Sequence, residues 1–143
     1  MCGLLKSVKN RVVPHKLVVK MPAREMRMEM FLKALMRGDY TKAKSHIDKL
    51  EKIVGDDEWG RGYSRAINGF LSALKDNDTD SLIVQLIKGP NNENAQQLLE
   101  RFENILQHEF RDDYEKGYYT AWKELLTAYL SQERLGVKSD RKK

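Results

Sequence analysis

An all-α fold is predicted for this 143-residue chain, on three observations. Apolar residues recur at steps of three and four in five separate segments, the spacing of one face of a helix. Gly, Asn and Asp punctuate those segments where helix ends need them. The second half of the chain also repeats the pattern of the first at an offset of 55 residues. The predicted architecture is two tandem three-helix units, about 23–75 and 79–132, packed as one helical-repeat-like domain over 23–133. A basic extended arm (1–22) precedes it and a basic, disordered tail (134–143) follows.

Residues 1–21 lack helical periodicity. Val12-Val13 and Leu17-Val18-Val19 are short β-prone runs interrupted by Pro14, which reads as an extended arm or at most an edge hairpin. Pro22 stands where a helix start tolerates a missing amide. The first helix, about 23–37, carries Met26, Met30, Phe31, Leu32 and Leu35. Gly38 suits a left-handed helix end and Asp39 an N-cap. The second helix, about 40–54, places Tyr40, Ala43, Ile47, Leu50 and Val54 on one stripe, and Gly55 closes it. Asp56 or Asp57 caps the third, about 57–75, with a stripe of Trp59, Tyr63, Ala66, Phe70 and Ala73/Leu74. Residues 76–80 are polar and break the pattern. The run Ser81–Lys88 is too short for periodicity to decide between helix and strand, and Gly89-Pro90-Asn91-Asn92 is a loop. A helix over about 93–110 buries Ala95, Leu98, Leu99, Phe102, Ile105, Leu106 and Phe110. Asp112 or Asp113 caps the last, about 113–132, with Tyr114, Tyr118, Trp122, Leu125 and Tyr129 on its stripe.

The offset of 55 aligns the third and last helices without a gap. Asp57, Gly62, Tyr63, Ala66, Leu71 and Ala73 meet Asp112, Gly117, Tyr118, Ala121, Leu126 and Ala128 as identities. It lays Ile47 on Phe102 and Leu50 on Ile105, and Phe31-Leu32-Lys33 on Leu86-Ile87-Lys88, which predicts a short helix for the ambiguous run. Amphipathicity alone does not demand a repeated Gly-Tyr pair. The glycine admits a neighbouring helix closely, and the tyrosine is expected to pack with its hydroxyl at the rim. The period differs from the roughly 34 residues of tetratricopeptide repeats.

The net charge of +5 is unevenly laid out. Residues 1–37 carry nine Lys/Arg and two acids, and residues 134–143 carry five and one. The stretch 38–133 has 12 bases and 18 acids. Both ends are basic and the body is acidic, and such fields decide which polyions a protein meets. The first 22 residues hold no acid, and their bases alternate with Val and Leu, a pattern suited to following a phosphate backbone. No apolar run nears the roughly 20 residues of a membrane span, no export signal is evident, and the one cysteine, Cys2, fits a reducing compartment. A cytoplasmic location is expected.

Motifs for chemistry are sparse. Met1-Cys2-Gly3 resembles the opening of glutamine amidotransferases of the N-terminal-nucleophile type, in which loss of Met1 leaves Cys2 as nucleophile and base. That resemblance covers three residues and implies a layered β-sheet scaffold, which a largely helical chain of this size does not supply. Cys2 therefore reads as a free thiol. Asp56-Asp57-Glu58 and Asp112-Asp113-Glu115 fall at helix starts, where capping accounts for them. His15, His46 and His108 lack metal-ligand spacing, with His46 and His108 on polar or boundary positions. Tyr119 lies off the aromatic stripe and is expected at the surface. No cofactor or metal is expected.

The expected function is that of a non-enzymatic helical accessory protein joining a nucleoprotein assembly, with RNA favoured over DNA. The basic ends would carry the contact through Lys6, Lys9, Arg11, Lys16, Lys20, Arg24, Arg27, Lys138, Arg141, Lys142 and Lys143. The alternative is a protein–protein adaptor or homodimer using the Met-rich first helix, at Met26, Met28 and Met30, with Met21 and Met36 flanking them.

Overall fold

The computed structural model describes residues 23–89, 94–108 and 111–134, and among these the secondary structure is entirely helical. In order they are α1 (Ala23–Arg37), α2 (Tyr40–Val54), α3 (Glu58–Asp76), α4 (Leu82–Lys88), α5 (Asn94–Leu106) and α6 (Asp113–Arg134). The arm, residues 90–92 of the expected loop, Phe110 and residues 135–143 of the tail lie outside the described residues.

The ends follow the expected chemistry. Gly38 and Gly55 take positive φ after α1 and α2, where a Cβ would be strained. Asp39 caps α2 by accepting from the Lys42 amide at 3.1 Å. Of the two candidates at each later start, Asp57 caps α3 through the Gly60 amide at 2.8 Å, and Asp112 caps α6 through the Glu115 amide at 2.9 Å. Each such cap is worth about 1 kcal/mol.

Three C-terminal helix ends differ from expectation. Helix α3 runs to Asp76 because Asn77 adopts the left-handed conformation and its amide closes on Ala73 and Leu74. Asn is the non-glycine residue that best tolerates this. The helix expected to reach 110 stops at Leu106. The Gln107 amide and the His108 ring both turn back onto the Asn104 carbonyl, and the His108 amide onto Ile105. Helix α6 continues to Arg134.

The run 82–88 is helical. A seven-residue helix has no stability of its own, and α4 is held by burial of Ile83, Val84 and Leu86. A fully buried side chain of that size contributes about 1.5–3 kcal/mol. Its Leu86 carbonyl also receives the Tyr129 hydroxyl at 3.3 Å.

Helices α3 and α6 form the most extensive pairing of the described residues, and the others pack around it. Helix α1 lies on α2 and also on α6, α2 lies on α3, α5 on α6, and α4 on α3. The close approach of α3 and α6 is set by two glycines. A Cβ at Gly62 would stand 1.8 Å from the Tyr114 carbonyl oxygen, and one at Gly117 would stand 1.9 Å from that of Trp59. Neither helix can carry a side chain there without moving its partner.

The core is continuous across both halves. It includes Met28, Phe31, Leu32 and Leu35 of α1, Ile47 and Leu50 of α2, and Tyr63, Ile67 and Phe70 of α3. From α6 it takes Ala121, Trp122, Leu125, Leu126 and Tyr129. Phe102 and Phe70 both pack on Trp122, at 5.4 and 4.8 Å between ring centroids. Tyr119, expected at the surface, is partly buried against Phe102 at 5.5 Å.

Candidate functional site

Two polar clusters stand out where α1 meets its neighbours. The first is built on Glu124, whose register on α6 follows Gly117 and Ala121 and precedes Ala128, a stripe of small residues facing another helix. Its side chain is buried. It accepts from the Tyr63 hydroxyl at 2.7 Å and from Nε of Arg24 at 2.9 Å, with the other guanidinium arm on the same carboxylate. Arg24 also lies over the rings of Trp59 and Tyr63, at 5.2 and 5.7 Å.

The electrostatics are those of a clamp. Burial works against the Arg24 charge, but the hydrogen bond and charge of Glu124 outweigh it and hold the guanidinium pKa above its ordinary value. Burial, and then the Glu124 charge, push the Tyr63 pKa far upward, so the phenol stays protonated and donates. A buried carboxylate that accepts from three donor groups of two residues, Nε and Nη2 of Arg24 and the Tyr63 hydroxyl, is well engaged. The cleft beside it, about 250 Å³, is lined by Glu25 and Glu29 of α1 and by Thr120, Lys123 and Thr127 of α6.

The second cluster is centred on His46. It is 8% exposed, a correction to the boundary position expected for it, because α1 covers that side of α2. Arg27 of α1 places Nη1 3.2 Å from His46 Nδ1. On α2, Lys42 and Lys49 flank His46 at helical steps of four and three, so all three share a face. The His46 pKa is lowered from 6.5, first by burial and then by the charges of Arg27, Lys49 and Lys42.

The expected contact residues divide accordingly. Lys6, Lys9, Arg11, Lys16, Lys20, Lys138, Arg141, Lys142 and Lys143 lie outside the described residues. Arg24 is paired with Glu124 and lies over two aromatic rings, with a third of its side chain exposed. Arg27 remains part-exposed and forms no ion pair among the described residues. Met26 and Met30 are exposed at 48% and 44%, whereas Met28 is wholly buried and is corrected to a core residue. Tyr63 is likewise corrected from the rim to the interior.

Sequence reasoning missed Glu124 as the partner of Tyr63. The available signal was an acid on a Gly/Ala stripe beside the aromatic one. Among the described residues no group of three His, Cys, Asp or Glu side chains is arranged to hold a metal ion, and no helix is long and apolar enough to cross a membrane. Comparison with protein-family models, curated proteins and solved structures finds no match.

Proposed function

We propose that the chain is a non-enzymatic helical accessory protein that associates with a nucleoprotein assembly, RNA in preference to DNA, through basic segments. The observation that carries the reading is the charge layout, with bases gathered at both ends and acids in the body. The folded residues extend it. Lys33, Arg37, Lys42 and Lys49 are exposed on α1 and α2, and none forms an ion pair among the described residues. The basic character of the arm thus continues onto the first helical hairpin, while acids dominate beyond it.

The same reading includes an internal duplication. Its support is the reciprocity of α3 and α6: Gly62 against Tyr114 and Gly117 against Trp59 are one contact exchanged at the offset of 55. The caps Asp57 and Asp112 follow the same offset. So does the packing of each unit's first helix on the other unit's third, α1 on α6 and α4 on α3.

The test is a full-length variant with Lys6, Lys9, Arg11, Lys16 and Lys20 all changed to Gln. RNA binding is expected to be lost while helicity by circular dichroism stays at the wild-type level; unchanged binding contradicts the reading. Exposed Met26 and Met30, one turn apart on α1, favour the second reading, an adaptor or homodimer. That reading places binding on protein partners and requires no nucleic acid.

A further inference from the structure

The α1–α2 hairpin gathers positive charge around His46 without supplying an acid to balance it. A guanidinium only donates, so His46 Nδ1 accepts from Arg27 and the imidazole hydrogen resides on Nε2. That Nε2–H has no hydrogen-bond partner among the described residues.

The nearby acids are engaged elsewhere. On α2, Asp48 pairs with Lys44 at 3.5 Å, and Glu51 accepts from Ser64 and from Asn68. Asp39 caps the helix. On α1, Glu25 and Glu29 line the cleft toward α6, opposite Thr120 and Lys123. On α3, the other helix packed on α2, Arg61 and Arg65 line a separate cleft with Glu51 and Lys52. Burial, and then the charges of Arg27, Lys49 and Lys42, disfavour a proton on His46, with Arg27 in direct contact and the two lysines one helical turn either side of it on α2. Like charges held together repel, and an anion placed among them relieves that repulsion.

We infer that Arg27, Lys42, His46 and Lys49 form a phosphate-contact site on the α1–α2 hairpin that takes a phosphodiester of a nucleic-acid backbone. This rests on the nucleic-acid reading above and deepens it, because it places a defined contact on the folded surface rather than at the chain ends. Arg27 and the two lysines supply charge, and His46 Nε2–H supplies a directional donor. A bound phosphate favours the imidazolium, so engagement moves the His46 pKa upward, opposite to its shift in the free protein.

The test uses the full-length protein and two charge-matched double variants, K42E/K49E and K44E/K52E. Anisotropy of a labelled RNA hairpin is recorded across a salt series. The His46 imidazole resonances are followed by NMR during titration with the same hairpin and, separately, with inorganic phosphate; His108 serves as control. K42E/K49E is expected to weaken binding about tenfold and to reduce the salt slope by about two. K44E/K52E should weaken it far less, and the His46 resonances should move with RNA. Equal weakening by both pairs overturns the site in favour of bulk charge. Unchanged binding by K42E/K49E, with wild-type binding intact, overturns the site and leaves the functional reading standing. A saturating His46 response to inorganic phosphate with none to RNA overturns the assignment to a nucleic-acid backbone. Absence of RNA binding by the wild type at low salt overturns both.

Discussion

Gly62 and Gly69 are seven residues apart on α3 and do opposite things. A Cβ at Gly62 meets the Tyr114 carbonyl, whereas one at Gly69 meets nothing within 4 Å. Gly62→Ala is therefore expected to destabilise by about 3 kcal/mol or more, since backbone must move. Gly69→Ala should stabilise by about 0.5–1 kcal/mol through helix propensity alone. Chemical denaturation of the two variants separates these signs, and a neutral Gly62→Ala contradicts the packing described.

His46 gives a pH dependence of known direction. Its folded pKa is depressed below 6.5, so the unfolded chain binds the proton more readily. The stability it confers is present above 6.5 and is lost as pH falls from there through the folded value. Denaturation midpoints measured downward from pH 7 should fall for the wild type, and the fall should be shallower for His46→Gln.

The repeated Gly-Tyr was legible in the sequence as a close helix approach. The depth of Tyr63 was not, because it depends on Glu124, 61 residues away, and periodicity carries no information about which polar groups meet across elements. His46 failed for the same reason: its burial comes from α1, not from its own helix.

At the scale of elements, the caps and stripes fixed five helices from local chemistry. The repeat offset supplied α4, which periodicity alone left open. What local chemistry did not reveal is the packing of α1 on α6 and of α4 on α3. The close α3–α6 crossing at Gly62 and Gly117 sits between these two pairs, and no local signal in either helix announces which neighbour it will meet.

The Glu124 clamp anchors α1 in this arrangement. Glu124→Leu strands the Tyr63 hydroxyl in the interior and frees Arg24, a third of whose side chain is exposed. The expected cost is about 2–3 kcal/mol, after allowance for solvent around the guanidinium. Hydrogen exchange should show the loss first in the opening turns of α1, with α5 protected as before. Uniform loss of protection over all helices contradicts a clamp specific to α1.

For the whole molecule, the charge asymmetry is a property of the residue order alone. Folding adds which charges remain available. Arg24 is paired with Glu124 and only part-exposed, whereas the cations of the α1–α2 hairpin named above stay at the surface without acid partners among the described residues. On the proposed reading, the protein meets a polyanion by release of counterions, and its affinity depends on salt far more than that of an apolar docking surface.

Charge-driven association with RNA is tested first by anisotropy binding of the full-length protein to a labelled structured RNA, from low to physiological salt. Tight binding at low salt is expected, weakening linearly on a log–log plot with a slope corresponding to several phosphate contacts. No binding at the lowest salt, or binding indifferent to salt, contradicts it.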